Sequence, residues 1–315
     1  MNAVRRIPLS MSGVALGFAA LGNLLRTYGE GIRTVCGIVS ALLVLAVVIR
    51  CIAAPDQLKK ELADPVQCGI AGTFSMALLI LSGYAAAVSP VFGMIVWWTG
   101  LALHAAIIVL FTARFLLHFN LKQVHASWYI VYIGIAAGCL TGPIFGYDSL
   151  AVGLFWFAFL SAIILIPTVL TRYVRLPVPA PARPLFCINT APAALCLAAY
   201  LTCMDSVSAG LVITLAALVT ALYILVLIRL PKYLSGSFFP SWAAFTFPFV
   251  ITAVSLKMAA VFLTKAGFGA GWQGTVVLIV TIIAAGLVVY TLVRFIMFVL
   301  TGQKSVNSVR QPEAE

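Results

Sequence analysis

Ten apolar stretches follow one another along the chain, with short polar connections between them. A helix needs about 20 apolar residues to cross the ~30 Å hydrocarbon layer of a bilayer, so each stretch is long enough to form a transmembrane helix. The pattern predicts one all-α integral membrane domain over residues 1–315 with a disordered tail at 303–315. The predicted spans are residues 8–28, 32–53, 66–88, 91–117, 126–143, 149–171, 185–203, 207–229, 240–264 and 273–300.

The ten stretches form five tandem pairs whose two members differ in composition. The first members contain Gly, Ala, Ser, Pro and aromatic residues, whereas the second members are mostly Leu, Ile and Val. Small residues let helix backbones approach closely, and irregular backbone is tolerated in a membrane only where it is buried or lines a cavity. We therefore expect ten transmembrane helices as five tandem hairpins in a quasi-fivefold ring around a central pore. The odd-numbered helices line the pore and the even-numbered helices face lipid.

Glycine and proline mark the expected inner helices. Pro192 and Pro248 lie inside the seventh and ninth spans, where each removes an amide donor and is expected to bend its helix. Two glycine pairs are expected to allow similar backbone irregularity without proline in the first and fifth spans. They are Gly13 and Gly17, and Gly134 and Gly138. The even-numbered spans are expected to be smooth helices without such features.

Composition and charge support a membrane protein. Hydrophobic residues make up 63% of the 315 residues and charged residues 9%, against roughly a quarter charged in soluble domains. All Lys and Arg fall on one predicted side except Arg26, Arg33, Lys257 and Lys265. Cytoplasmic loops collect basic residues, so both termini are expected in the cytoplasm of a multi-pass inner-membrane protein. The net charge of +11 then reflects topology and a modest attraction to anionic lipid, and no nucleic-acid partner is expected.

Few ionisable residues fall inside the predicted spans. No Asp or Glu lies in a span interior, although such residues commonly serve as proton relays in transporters. His104 lies in an even-numbered span, which favours a packed, hydrogen-bonded residue over a relay. Lys257 lies ten residues after Phe247, about 15 Å along a helix. It either concentrates anions at the outer mouth or extends its amine to the interface.

No motif indicates an enzyme, a metal site or a cofactor. The seven cysteines form no Cys-x-x-Cys pair, so they are expected to be buried small apolar residues without a zinc or disulfide role. The chain has no Gly-x-Ser-x-Gly, phosphate-binding loop or His-Glu-x-x-His sequence. An intramembrane enzyme would need Ser, His or Cys groups to converge in the bundle, and the odd-numbered spans supply no His.

Four sequence segments resemble one known family. They are SGVALG (12–17), GLFWFAF (153–159), RPLFCINTAP (183–192) and SFFPSWAAFTFPFVI (237–251). They are similar to the tellurite-resistance TehA and plant slow anion channel family, which also contains yeast malate permeases and sulfite exporters. The resemblance implies five hairpins with quasi-fivefold symmetry, homotrimers with one pore per protomer, and no cofactor. One departure is Asp64, at a position where many members carry His.

The resemblance also implies roles for individual residues. The Thr-Phe-Pro match places a pore-plugging phenylalanine at Phe247, flanked by Thr246 and Pro248. Gly13, Gly17 and Phe74 are expected at the pore wall with the residues named above. Without the family motif, Phe247 is one of 20 phenylalanines and simple packing is the alternative.

We expect a membrane anion channel or facilitator gated by Phe247. Its expected cargo is small inorganic anions such as chloride and nitrate, with tellurite and sulfite as further candidates. The alternative is a secondary carrier of small carboxylates, namely four-carbon dicarboxylates, or of sulfite or tellurite, coupled to a proton gradient. The expected partners are the transported anion, membrane lipid and two further copies of the chain.

Overall fold

The structure is a computed structural model that describes residues 3–301, and these residues are helical with no β-strand. The tail predicted to be disordered at 303–315 lies outside the described residues. The described chain contains eleven α-helices: α1 (Met11–Leu25), α2 (Glu30–Ala53), α3 (Pro55–Leu62), α4 (Pro65–Val88), α5 (Pro90–Phe111), α6 (Ser127–Tyr132), α7 (Asp148–Arg175), α8 (Ala191–Cys203), α9 (Ala209–Leu234), α10 (Phe247–Lys265) and α11 (Gln273–Thr301).

Several α-helices are extended by tighter or wider helical turns. Short 3-10 helices occupy Ala3–Arg6, Arg26–Tyr28, Leu121–Gln123, Gly134–Leu140, Gly142–Phe145, Ala180–Thr190 and Pro240–Phe245, and a π-helical stretch occupies Thr112–Leu116. The longest 3-10 stretches run directly into α8 and α10 or follow α6.

Eight helical segments of the described chain are long and apolar enough to cross a membrane. They are Glu30–Ala53, Pro65–Val88, Pro90–Leu116, Asp148–Arg175, Ala180–Cys203, Ala209–Leu234, Pro240–Lys265 and Gln273–Thr301. The first and fifth predicted spans contain shorter helices. The first is α1, with 15 residues, and the fifth is 127–140, which combines α6 with the 3-10 turn at Gly134–Leu140.

The helices fall into two classes by burial. In α2, α5, α7, α9 and α11 only 28–33% of the most apolar window is buried, whereas the share is 56% in α4, 61% in Pro240–Lys265 and 89% in Ala180–Cys203. Nearly all of α1 and 127–140 is also buried. We call these five buried stretches the inner segments and the other five the outer helices. This separation of inner from outer helices was predicted from composition.

Contacts link the five inner segments in one closed order. α1 packs on α4, and α4 packs on 127–140, which packs on α8. α8 then packs on α10, and α10 packs back on α1. Each inner segment also contacts the outer helix that follows it in the chain. The outer helices expose large apolar side chains, including Val109, Ile164, Ile228 and Ile282, on a scale typical of surfaces that face an apolar phase.

Proline acts differently from the prediction of bent continuous helices. Pro192 and Pro248 are the second residues of α8 and α10, each after a 3-10 segment. Proline is accepted in the first turn of a helix because its missing N–H has no intrahelical partner there, so the α-helix begins at the proline instead of bending around it. The even-numbered spans were expected to lack such features, and this was wrong for the sixth span, because Pro167 lies inside α7. Pro231 also lies inside α9, which extends beyond the predicted end of the eighth span at residue 229.

Candidate functional site

Two cavities lie among the inner segments. The first, which we call the N-side cavity, is lined by residues from all five segments. Its lining includes Gly13 and Leu16 of α1, Thr73 and Met76 of α4, Tyr129 and Gly134, Leu185, Pro192 and Leu195, and Ser241, Phe247 and Pro248.

The second cavity, which we call the C-side cavity, is more polar than the first. All five inner segments reach it again, helped by neighbouring residues of the 3-10 turns and of α2. Its lining includes Asn23, Arg26, Arg33, Ile80 and Gly83, Leu140, Thr141 and Ile144, Thr202, and Phe247, Ile251 and Met258.

The order of the lining residues is the same in every inner segment. Residues that line the N-side cavity come earlier in each segment than those that line the C-side cavity, with Phe247 as the shared boundary. The five segments therefore run in the same direction past the two cavities. Phe247 is the one residue found in both linings among the described residues, so it lies where the two cavities adjoin.

The backbone at Phe247 is held against α1. Thr246 has φ −102° and ψ −96° at the junction between the 3-10 turn and α10. Its Oγ1 lies 2.8 Å from the Gly13 carbonyl oxygen and 2.7 Å from that of Ala243. A Cβ at Gly17 would lie 2.6 Å from the Thr246 Cβ and 3.2 Å from the Phe247 nitrogen. Glycine at position 17 is thus required for the close approach that positions Phe247.

The N-side cavity is lined almost entirely by apolar groups. Its polar members are already engaged: Tyr129 donates from its hydroxyl to Asn189 Oδ1 at 3.0 Å, and the Thr73 and Ser12 hydroxyl oxygens lie 2.7 Å apart. Among the described residues, no Asp, Glu, His, Lys or Arg side chain lines this cavity.

The C-side cavity carries positive charge, and Arg33 is its most enclosed cation. Its side chain is 15% exposed, against 60% for Arg26. Nε donates to Asn23 Oδ1 at 3.1 Å, and Nη2 donates to the Gly83 carbonyl at 3.2 Å. The guanidinium carbon lies 4.4 Å from the centre of the Tyr84 ring. The sequence indicates Arg33 only as one of the basic residues that predict topology. Its contact with Gly83, 50 residues away, leaves no pattern along the chain.

The structure brings together part of the predicted pore wall. Gly13, Gly134, Pro192, Phe247 and Pro248 line the N-side cavity, whereas Gly17 and Thr246 lie directly behind Phe247. The remaining two predicted positions lie in neither lining. Gly138 packs near Leu154 and Trp97, and Phe74 is half-buried against the apolar core.

Lys257 binds the end of α1. Its Nζ donates to the Leu24 carbonyl at 3.0 Å and to Thr27 Oγ1 at 2.9 Å. A cation at a helix C-terminus satisfies carbonyl groups that have no intrahelical donor. Lys257 is absent from both cavity linings but lines a neighbouring pocket that shares Asn23, Val254 and Met258 with the C-side cavity. A charge at the outer mouth and an amine that extends to the interface both stay predictions.

Two polar residues singled out in the sequence have structural partners. His104 is fully buried, with Nδ1 2.8 Å from Ser75 Oγ and Nε2 3.1 Å from the Val131 carbonyl, which confirms a packed histidine. Asp64 begins α4, where its carboxylate accepts from the amides of Val66 and Gln67 at 3.0 and 2.9 Å. It therefore acts as an N-cap.

The seven cysteines are free thiols. Six of them are buried and Cys51 is partly buried, as expected for small apolar residues. No group of three or more His, Cys, Asp or Glu side chains that could hold a metal ion occurs in the described part of the chain.

Arg172 and His125 form a buried polar group at the end of α7. Arg172 is 3% exposed, and neither its Nε nor its Nη1 has a hydrogen-bond partner. His125 is 7% exposed, and its Nδ1 likewise lacks a partner. Burial, and then the nearby Arg172 charge, lower the pKa of His125 to about 4. The histidine is therefore neutral at physiological pH.

Comparison with known families agrees with this arrangement. A family model described as the voltage-dependent anion channel, SLAC1, matches residues 4–296. Comparison with individual curated proteins gives no significant match. The matched region includes all five inner segments, both cavities and nearly all of the outer helices. This chain therefore belongs to the voltage-dependent anion channel (SLAC1) family of membrane anion channels and transporters.

Proposed function

We propose that the protein is an anion channel whose pore passes through both cavities and is closed at Phe247. In this proposal the inner segments are the five inner members of ten membrane crossings, arranged as a quasi-fivefold ring of hairpins. The observation that carries the proposal is that, within residues 3–301, Phe247 alone lines both cavities. A single side chain between two cavities on one path is the arrangement that a gate requires.

The physical basis of closure is dehydration. Moving an ion from water into a low-dielectric medium has an idealised cost of order 20 kcal/mol, and a phenyl ring across a narrow passage imposes part of that cost. Hydrophobic constrictions gate channels by excluding water. Phe247 is only 5% exposed and is followed by Pro248, so the ring is enclosed while its backbone stays fixed against α1.

The charges favour anions as cargo. The described lining residues of both cavities include no carboxylate, and the C-side cavity includes Arg26 and Arg33. Apolar walls with few fixed charges give weak selectivity, so chloride and nitrate are the proposed cargo, with tellurite and sulfite as further candidates. We also propose a homotrimer in the inner membrane with both termini in the cytoplasm.

The test is the chloride current of Phe247→Ala in planar bilayers, with Phe249→Ala as the matched control. Phe249 lies two residues further along α10, is fully buried against Tyr223 and lines neither cavity. We expect a small current from the native chain, a large anion-selective current from Phe247→Ala, and no increase from Phe249→Ala. Equal currents from the two variants would contradict a gate at Phe247.

The carrier alternative predicts a different result from the same preparation. A carrier shows saturable uptake of malate or sulfite that depends on a proton gradient, and Phe247→Ala lowers this uptake without producing a current. Measuring proton-coupled uptake in vesicles beside the bilayer recordings distinguishes the two functions.

A further inference from the structure

We infer that Arg33 binds a permeating small anion in the C-side cavity before it reaches Phe247. This inference rests on the proposed channel function and adds to it a binding residue and a side of the pore. The residue comes from an outer helix, which makes it unexpected, since the wall of the pore was predicted from the inner segments alone.

Arg33 holds its charged group at the wall of the C-side cavity. Arg33 lies in the first turn of α2, yet its side chain extends to α1 at Asn23 and to α4 at Gly83 and Tyr84. These contacts fix the guanidinium at the wall of the C-side cavity. Because the side chain is 15% exposed, its charge is screened less by solvent than a surface charge.

The Arg33 guanidinium has more N–H donors than the protein provides acceptors for. A guanidinium has five N–H groups and no acceptor. One N–H is given to Asn23 and one to Gly83, while Glu30 Oε2 lies 3.6 Å from Nη1. At least two N–H groups are therefore left without a protein acceptor. Neighbouring N–H groups of a guanidinium bind two oxygens of a planar oxyanion at once, so nitrate fits this site as well as chloride does.

Glu30 would compete with a bound anion for Arg33, because its carboxylate lies 3.6 Å from Nη1. Its Oε1 accepts a hydrogen bond from Arg26 Nε, and its Oε2 faces Arg33. The Glu30 side chain is 59% exposed, so it can move toward solvent when an anion approaches Nη1. Among the described residues it is the one carboxylate paired with these two arginines, and it limits the positive potential of the cavity.

The experiment uses the full-length chain carrying Phe247→Ala, so that the pathway is open, and adds Arg33→Gln, Glu30→Gln or Arg26→Gln. We expect Arg33→Gln to raise the chloride concentration at half-saturation of the current about tenfold, since focused charge raises local ion concentration by that order or more. Glu30→Gln is expected to lower the same concentration. Arg26→Gln removes the more exposed of the two arginines in the cavity wall, so we expect a smaller effect in the same direction as that of Arg33→Gln.

Two further readouts separate anion binding from a structural role. Arg33→Gln should reduce the current of anions entering from the C-side more than that of anions entering from the N-side, which appears as rectification. Arg33→Lys keeps the charge but loses the paired donors, so nitrate should lose more affinity than chloride. Glu30 is exposed, so Glu30→Gln tests the inference without disturbing packing.

The outcomes distinguish this inference from the proposed function. If Phe247→Ala conducts no anions, the channel proposal fails. If it conducts, but Arg33→Gln, Glu30→Gln and Arg26→Gln have the same half-saturation and rectification, Arg33 only ties α2 to α1 and α4. Opposite shifts for Arg33→Gln and Glu30→Gln support the anion site.

Discussion

The two cavities on either side of Phe247 are built from the same five segments but present different chemistry. The N-side cavity has apolar walls, and its hydroxyl groups are already hydrogen-bonded to protein. The C-side cavity has two arginines, Asn23, Thr141 and Thr202 in its wall. Phe247 therefore lies where an uncharged lining meets a positively charged one.

This difference shows where an anion can be stabilised and where it can only be hydrated. In the C-side cavity a guanidinium can replace part of the water shell of an ion. In the N-side cavity an ion depends on the water that it brings, because the wall offers few free donors. The proposed gate thus lies where the charged lining meets the apolar lining.

The largest effect is expected from charge added to the apolar side. Thr73→Asp in the Phe247→Ala background places a carboxylate in the N-side cavity. At about 5 Å and an effective dielectric constant of about 20, its repulsion of an anion is roughly 3 kcal/mol. Since about 1.4 kcal/mol is tenfold, we expect the chloride current to fall about 100-fold. Thr73→Val is the control, and an undiminished current in Thr73→Asp would mean that the N-side cavity lies off the path.

The next effect concerns the packing that holds Phe247. A methyl group at position 17 meets Thr246 Cβ at 2.6 Å, whereas one at Gly153 on α7 meets nothing within 4 Å. Because overpacking costs typically 1–3 kcal/mol, Gly17→Ala should lower the thermal unfolding temperature and raise the basal chloride current. Gly153→Ala should change neither, and similar unfolding temperatures for both variants in detergent would contradict this role of Gly17.

A smaller effect is expected from Lys257. Lys257→Met removes the two hydrogen bonds to the end of α1, and hydrogen bonds to charged groups contribute about 1.5–3 kcal/mol each at most. We expect reduced thermal stability with an unchanged half-saturation for chloride in the Phe247→Ala background. The exposed Lys265→Met is the control. A shift in the half-saturating chloride concentration with Lys257→Met but not with Lys265→Met would indicate that Lys257 contacts the permeating anion.

The smallest effect is expected from pH. Because burial and Arg172 lower the pKa of His125 to about 4, the unfolded chain takes up its proton first as pH falls from about 7. His125 therefore contributes stability above its unfolded pKa, and this contribution is lost progressively between about pH 7 and pH 4. His125→Gln should flatten the dependence of the unfolding temperature on pH in this range. An unchanged slope would contradict the lowered pKa.

Composition along the chain was enough to predict which helices are buried. Small residues and aromatics in the first member of each pair signal close contact with other protein, and smooth aliphatic sequences signal an apolar surround, so the two classes could be assigned without coordinates. Only the family motif distinguishes Phe247 from the other phenylalanines in the sequence.

The polar contacts of the C-side cavity could not be predicted in the same way. Lys257 and Arg33 look alike in sequence, as isolated basic residues on the same predicted side. Their roles differ because one amine meets the last turn of α1 and one guanidinium meets α1 and α4 beside the cavity. Such differences depend on side-chain reach across contacts distant in sequence. The unbent helix at Pro192 has a local cause. The 3-10 segment before it places the proline in the first turn of α8.

The unequal lengths of inner and outer helices have a consequence for the surrounding lipid. α1 has 15 residues and α11 has 29, which at 1.5 Å per residue correspond to about 22 and 44 Å. Hydrophobic mismatch is accommodated by tilting of the helices that meet lipid, and here those are the outer helices. We expect a thinner or thicker bilayer to change the tilt of the outer helices, while the buried inner segments keep their spacing around Phe247.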